Sequence, residues 1–555
     1  MKNKLAWLWL AGVVIAASAL TSTRADRTDG EILYNGIPLA KSWPPSISTL
    51  TREPMPVPYL ITPPEVIPID LGRQLFVDDF LIDDKTVTRT FHLAAYTPNN
   101  PVLKPDQPWE MATVSKDHPA PTAMVFSDGV WFDPQDRLFK MWYMGGYVQS
   151  TCYAWSQDGL RWHKPLLDVK ANTNIVLDKP RDSATLWLDL EEPDPGERYK
   201  LFMICRDGED WIGYWYVSAD GIHWGEPVAQ DKTTGDRTTM FYNPFRKKWV
   251  FSIRCNAPGM GRARSYREQD HIPSGASRTD AIESLWVGAD RNDPMRADLN
   301  ITPQLYNLDV VAYESLLLGL FSIWPGQPKD RAKPNYICLG FSRDGFHWYR
   351  PDHRPFINVS ERYGDWNWGN VQSAGGGCLI VGDQLYFYVS GRAGVMGSPA
   401  SGVCTTGLAY LRRDGFASMD AGKTEGTLTT RPVRFSGSYL FLNSNSHKGK
   451  LWVAVLDAEG RVLEPFSKAN CIPVDTDRTL QKVVWKGQDD LSALRGKAVK
   501  FRFYLRNSQL YSFWLSPDRK GASNGYVAAG GPGFVESTDT VGAAAYQAAK
   551  ELNKN

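Results

Sequence analysis

A seven-residue phrase recurs along this chain at a fixed interval, and the interval limits the fold more than any other feature. Ser156-Gln-Asp158-Gly159-Leu-Arg-Trp162 is followed by Ser218-Ala-Asp220-Gly221-Ile-His-Trp224 and by Ser342-Arg-Asp344-Gly345-Phe-His-Trp348. Asp158 and Asp220 are 62 residues apart, and Asp220 and Asp344 are 124 apart, two steps of 62. A worn copy, Ser277-Arg-Thr-Asp280 with Trp286, stands near the missing step, and a partial one, Arg413-Asp414-Gly415-Phe416, lies 70 residues beyond Asp344. Strand-rich repeats of about 60 to 70 residues are the mark of propeller blades. Adjacent Asp and Gly make a tight turn with positive φ at the glycine, so the phrase marks blades rather than chemistry.

From about 117 to 420 strands and turns alternate with almost no helical periodicity. Aromatic second strands line up at Phe139-Lys-Met-Trp-Tyr143, Tyr199-Lys-Leu-Phe-Met203, Lys248-Trp-Val-Phe-Ser252 and Leu385-Tyr-Phe-Tyr-Val389. First strands are expected near Asp117, Asp182, Asp236, Asp309 and Asn370, which counts five blades. The expected fold is all-β, a five-bladed β-propeller over 66–420 followed by a β-sandwich over 421–520. A Pro/Ser/Thr-rich leader (26–65) precedes them, with Gln74–Ile82 as a closing strand. The Gly/Ala-rich tail from 521 to 555 has little to pack beyond a short helix over Thr540–Leu552.

The chain's 62 basic and 61 acidic residues nearly cancel, which argues against nucleic acid or an anionic membrane as partner and favours a neutral ligand. Lys2 and Lys4, the apolar run Leu5–Ala17 and the small residues Ala17-Ser18-Ala19 read as a secretory signal within residues 1–25, so a secreted or periplasmic protein is expected, with no membrane span once the signal is removed. Seven cysteines, none in a C-x-x-C pair, read chiefly as small buried hydrophobes, with one or two disulfides as the alternative.

In a propeller the inner strands converge on the axis, so polar residues near their starts meet in one pocket. Carboxylates from several blades around a funnel suit glycosidic hydrolysis, in which one protonated acid assists the leaving oxygen and one ionised group activates water or attacks the sugar. The catalytic candidates are Asp117, Asp182, Asp236 and Glu314, with Glu314 as the acid because the apolar run around it would raise its pKa. His118, Arg254, Arg264, Tyr313, Trp366 and Trp368 are the substrate-binding candidates, and the arginines of unit three suit a carboxylate or sulfate. Trp109 and Trp187 are further stacking candidates. No cofactor and no metal is expected: a nucleophile elbow, a P-loop, a dinucleotide motif and paired histidines are all missing from the sequence.

This layout resembles the five-bladed β-propeller glycoside hydrolases, families 43 and 62 and families 32 and 68, the family 32 enzymes also carrying a C-terminal sandwich. The resemblance to family 43 implies that Asp117 in Asp117-His118-Pro119 is the general base, Asp236 the pKa-modulating Asp and Glu314 the acid. The Asn-Asp-Pro-Asn-Gly motif of family 32 is missing, and Arg181-Asp182-Ser183 matches its Arg-Asp-Pro only in part. The recurring phrase is also similar to the sialidase Asp-box, without the residue between Asp and Gly. The implied activity is hydrolysis of a glycosidic bond in a poly- or oligosaccharide. The alternatives are a non-catalytic glycan-binding propeller and a sialidase-like hydrolase.

Overall fold

The structure, a computed structural model, describes residues 30–111, 120–232, 234–272 and 284–552. It is all-β, and the only α-helices among the described residues are Pro58–Ile61 and Ala543–Leu552. Five antiparallel sheets form a ring of blades whose inner strands are Ala123–Asp133, Ala184–Leu188, Thr239–Asn243, Gln304–Glu314 and Asn370–Ala374. An inner strand is covered on both faces, so it reads as an apolar run rather than an alternation. Ala123–Asp133 and Asn370–Ala374 are buried at every position. All seven cysteines are free, and six are buried. No helix among the described residues is long and apolar enough to cross a membrane.

The recurring phrase closes the third strand of its blade and docks that blade on the preceding one. Ser156 Oγ accepts the Gly159 N–H at 2.9 Å, while Asp158 Oδ1 accepts the N–H groups of Leu160 and Arg161, both at 2.8 Å. Gly159 has φ +75°, which a side chain would strain. Its carbonyl accepts the Tyr388 hydroxyl of blade five at 2.6 Å. The second copy offers the Gly221 carbonyl to Trp142 Nε1 of blade one at 2.7 Å, and the third offers that of Phe346 to Trp286 Nε1 of blade three at 2.7 Å. The partial copy keeps the rule with other chemistry: Asp414 accepts the Tyr313 hydroxyl of blade four at 2.5 Å. The worn copy Ser277–Asp280 lies outside the described residues.

Two expectations about the chain's ends need correction. Gln74–Leu75 does not close the propeller; it pairs with Ser512 and Phe513, and the closing strand is Ala95–Tyr96, beside Ala409 and Tyr410 on the outer edge of blade five. The sandwich consists of two six-stranded sheets, and it begins before the propeller: Ile67–Pro68 and Ile82–Lys85 join Val499–Arg506 and its neighbours, and Thr88–Phe91 joins Ala417–Ala421. Leu33, Ile37, Val57 and Tyr59 of the leader are buried in the same core as Phe501, Phe503 and Phe513.

The tail, in turn, packs against the rest of the protein from Gly521 to Gly533 and through one face of the helix Ala543–Leu552. Tyr526–Val527 pairs with Tyr313 and Glu314 at the end of the inner strand of blade four. Its glycines mark close approach: a Cβ on Gly525 would lie 2.1 Å from Glu314 Oε2, and one on Gly531 would lie 1.8 Å from the Ile380 carbonyl oxygen.

Candidate functional site

Three inner strands are broken near the same mouth of the propeller, and the breaks place polar groups in an otherwise apolar axis. Blade one slips register between Met124 and Gly129, with Phe126 at φ +49°. Blade four slips between Leu305 and Asn307, and blade five between Gln372 and Ala374, with Ser373 at φ +61°. Bulges of this kind redirect side chains and recur beside active sites. Here the Asn307 amide nitrogen lies 3.0 Å from Ser127 Oγ, 3.3 Å from Ser373 Oγ and 2.9 Å from Asp309 Oδ2, tying three blades together.

Asp309 is the central acid of this mouth. Burial pushes its carboxyl up to about 6, against hydrogen bonds from Ser127, the Ala374 N–H and Asn307 and the field of Arg264. The residue is buried, with 7% of its surface open to solvent. Asp128, on the bulge of blade one, faces Arg181, whose Nη2 lies 2.6 Å from Oδ1; burial raises that carboxyl to about 7.

The carboxylates of blades two and three sit among arginines. Asp182 Oδ1 is 3.3 Å from Arg237 Nε. Asp236 lies between Arg262 Nη2 at 2.9 Å and Arg254 Nε at 3.2 Å. Burial alone would raise the Asp236 carboxyl; the guanidiniums of Arg262, Arg237 and Arg254 outweigh it and hold the group below its ordinary value. One network therefore holds a carboxyl with a high proton affinity and a carboxylate that stays ionised. It runs from Asp309 through Asn307 and Arg264 to the backbone of Arg237, which is next to Asp236 in the chain and whose side chain faces Asp182.

Of the sequence candidates, Asp182, Asp236 and Arg254 come together at this mouth, and Asp117 and His118 lie outside the described residues. Arg264 is wholly buried, donating to Ser252 and to the Arg237 carbonyl, so it braces the site from beneath rather than binding substrate; burial lowers its pKa to about 9. Glu314 is not in the funnel. It is fully buried at the opposite end of its strand, with Oε1 3.3 Å from Arg73 Nε and 3.1 Å from Arg413 Nη2, and Oε2 accepting from Ser523 Oγ at 2.7 Å. The apolar run around it signalled burial correctly, but the burial is that of a structural ion cluster. Tyr313 is fully buried beside it, bonded to Asp414.

The tryptophans are mostly blade material. Trp366 packs against Gly391 and Gly407, and Trp368 packs against Gly394, with the Arg331 guanidinium 4.8 Å from its ring. Trp109 donates to Asn174 at 2.9 Å, within blade one. Trp187 lies at the opposite mouth, where it lines a small cleft with Trp131, Tyr242 and Tyr526. Away from both mouths, Asp290, Asp293 and His353 cluster, but Arg350 bonds both aspartates and closes the group.

Sequence reasoning missed Asp128, Tyr306, Lys333 and Arg392, and treated Asp309 only as a strand marker. A usable signal was Ser127-Asp128-Gly129, a polar triplet inside the apolar strand Ala123–Asp133.

No protein-family model and no curated protein matches the chain. Among solved structures it is similar to an N-acetylgalactosamine deacetylase from F. plautii, in complex with blood group B trisaccharide, at 13% identity and a TM-score of 0.41, over 57% of this chain and 97% of that one. A glycosyl hydrolase from Bacteroides ovatus gives 12% and 0.38, over 58% and 94%, and a thermostable family-43 glycoside hydrolase gives 10% and 0.37, over 54% and 93%. Superpositions this loose do not bear on the activity.

Proposed function

We propose that the protein is a glycoside hydrolase acting at the mouth formed by Asp182, Asp236 and Asp309, with Asp309 in the acid role that the sequence assigned to Glu314. The observation that carries this reading is the contrast between two carboxyl groups in one network. Asp309 is pushed up to about 6 by burial, whereas Asp236 is held low by arginines. Environments that drive two carboxyls apart equip a site for acid–base work; here Asp309 holds the proton and Asp236, held ionised, orders the arginines of the mouth.

In the proposed step Asp309 gives its proton to the glycosidic oxygen as the bond to the anomeric carbon breaks. Asp182 takes a proton from the attacking water, or attacks the anomeric carbon itself with water completing the second step. Asp117 is the alternative base. Asp236 keeps Arg254 and Arg262 oriented. The signal-like residues 1–25 make this a reading of an exported enzyme.

The test is turnover on a panel of aryl glycosides and polysaccharides by the wild type and by Asp309→Asn and Asp182→Asn. Loss of turnover in both supports the reading; near-normal turnover in both overturns it.

A further inference from the structure

The overall charge balance points to a neutral ligand, but the mouth itself is not neutral. Among the described residues, Asp128 is taken by Arg181, Asp182 faces Arg237, and Asp236 is shared between Arg254 and Arg262. Lys333 and Arg392 have no carboxylate partner there. Arg392 donates to Ser401 Oγ at 3.0 Å and reaches the Tyr147 hydroxyl at 3.4 Å, while its Nε and Nη2 have no hydrogen-bond partner. Nη1 of Arg237 and Nη1 of Arg262 are likewise without one. Arg392 is 3% exposed and Arg237 5%, so these donors are withdrawn from bulk water and costly to leave unpaired.

The cations surround one phenol. Lys333 Nζ donates to the Tyr306 hydroxyl at 2.8 Å, and the Arg262 and Arg237 guanidiniums lie 4.6 Å and 5.9 Å from the Tyr306 ring. Arg392 is near enough to feel the charge of that hydroxyl. Burial would raise the phenol, yet Arg237, Lys333 and Arg262 together draw it down to about 8. A cationic field that draws the proton off a phenol also attracts an anion that is ionised without its help.

We propose that the sugar bound at this mouth carries a negative charge, a carboxylate or a sulfate ester, which is received by Arg237, Arg392 and Lys333 beside Tyr306. The proposal rests on the reading of this mouth as a glycan site. Guanidiniums suit both anions, which they bind through paired N–H donors.

The experiment is calorimetric titration of the full chain with glucuronate, galacturonate and glucose 6-sulfate, with glucose, galactose and inorganic sulfate as comparators, at low and raised salt. The expected result is that at least one acidic sugar binds about tenfold or more tighter than its neutral counterpart, the scale of one charge-assisted hydrogen bond. The gap should shrink with salt and close in Arg392→Gln or Lys333→Met. Binding confined to the uronates, or to the sulfated sugar, identifies the anion, and both outcomes support the proposal. Equal binding of acidic and neutral sugars, a gap untouched by salt and by both variants, or binding of inorganic sulfate alone overturns it. The wild-type comparison decides even where a variant fails to fold. Acidic-sugar binding without hydrolysis of any glycoside would remove the hydrolase reading alone, and hydrolysis of neutral glycosides without acidic preference would remove this inference alone.

Discussion

Asp309 and Glu314 stand five residues apart on one inner strand, which at strand rise separates them by roughly 16 Å. Asp309 lies at the mouth where three blades bulge together, bonded to Asn307 and open to solvent over 7% of its surface. Glu314 ends the same strand in a sealed cluster with Arg73 and Arg413, beneath Ser523 of the tail. Both are acids in apolar surroundings, but of the two only Asp309 keeps any surface open to solvent.

Asp309→Asn is expected to lower kcat by about 10²- to 10⁴-fold, the usual worth of a positioned general acid. In the wild type kcat/KM is expected to fall as pH rises through about 6, the value to which burial pushes the Asp309 carboxyl. A pH profile of both proteins checks this, since the variant lacks that limb.

The same substitution is expected to stabilise the fold at alkaline pH. The folded-state value of Asp309 is raised from 3.8 to about 6, so the native state binds its proton more tightly than the unfolded chain does. Wild-type stability therefore declines as pH rises from about 4 to 6 and stays reduced above that, by roughly 1 to 3 kcal/mol. Melting curves should place Asp309→Asn above the wild type at pH 8, with the difference narrowing toward pH 4.

Glu314→Gln is expected to behave as a stability variant. Removing one member of a buried ion cluster takes away the carboxylate that Arg73 and Arg413 share, leaving Asp414 and Asp539 to hold them, and costs about 3 kcal/mol. Denaturant unfolding measures the loss, and turnover per folded molecule should stay near that of the wild type.

Asp220 tests the blade phrase. Burial would raise its carboxyl, but His223 and the N–H groups of His223 and Ile222 hold it at about 2. Its contribution is present above the unfolded value near 4 and is lost as pH falls through about 2. Asp220→Ala should melt below the wild type at pH 7, by about 1 kcal/mol for a lost turn cap, with the difference vanishing in strong acid.

Deleting residues 521–555 is expected to cost roughly 3 kcal/mol or more, the scale of uncovering a buried ion cluster. The deletion removes Ser523 from Glu314, and Val527 from its pairing with Tyr313. Thermal unfolding of the truncated chain checks it, and a melting point equal to that of the full chain would contradict the account of the tail given above.

The blades could be counted from the sequence because each phrase serves a local turn, whose residues must stay in order along the chain. The sandwich was only half visible. Its strands before the propeller are two to four residues long, too short to show a period. The mouth was found through Asp182, Asp236 and Arg254, which flank strand starts, whereas Tyr306 and Asp128 depend on register slips that no one-dimensional pattern records. Apolar neighbours mark a buried acid in the same way whether it faces a funnel, as Asp309 does, or an ion cluster, as Glu314 does.

The propeller interrupts the sandwich along the chain, with Thr88–Phe91 before it and Ala417–Ala421 after it in one sheet. During synthesis the early sandwich strands are made first, and their partners follow about 325 residues later, a wait of roughly 15 to 65 seconds at ordinary translation speeds. The five blades, whose closing strand Ala95–Tyr96 is already made, are complete in sequence before the sandwich is, apart from the tail strand Tyr526–Val527 on blade four. A newborn chain therefore carries unpaired strand edges for most of its time on the ribosome, and that interval is when such edges are open to wrong partners.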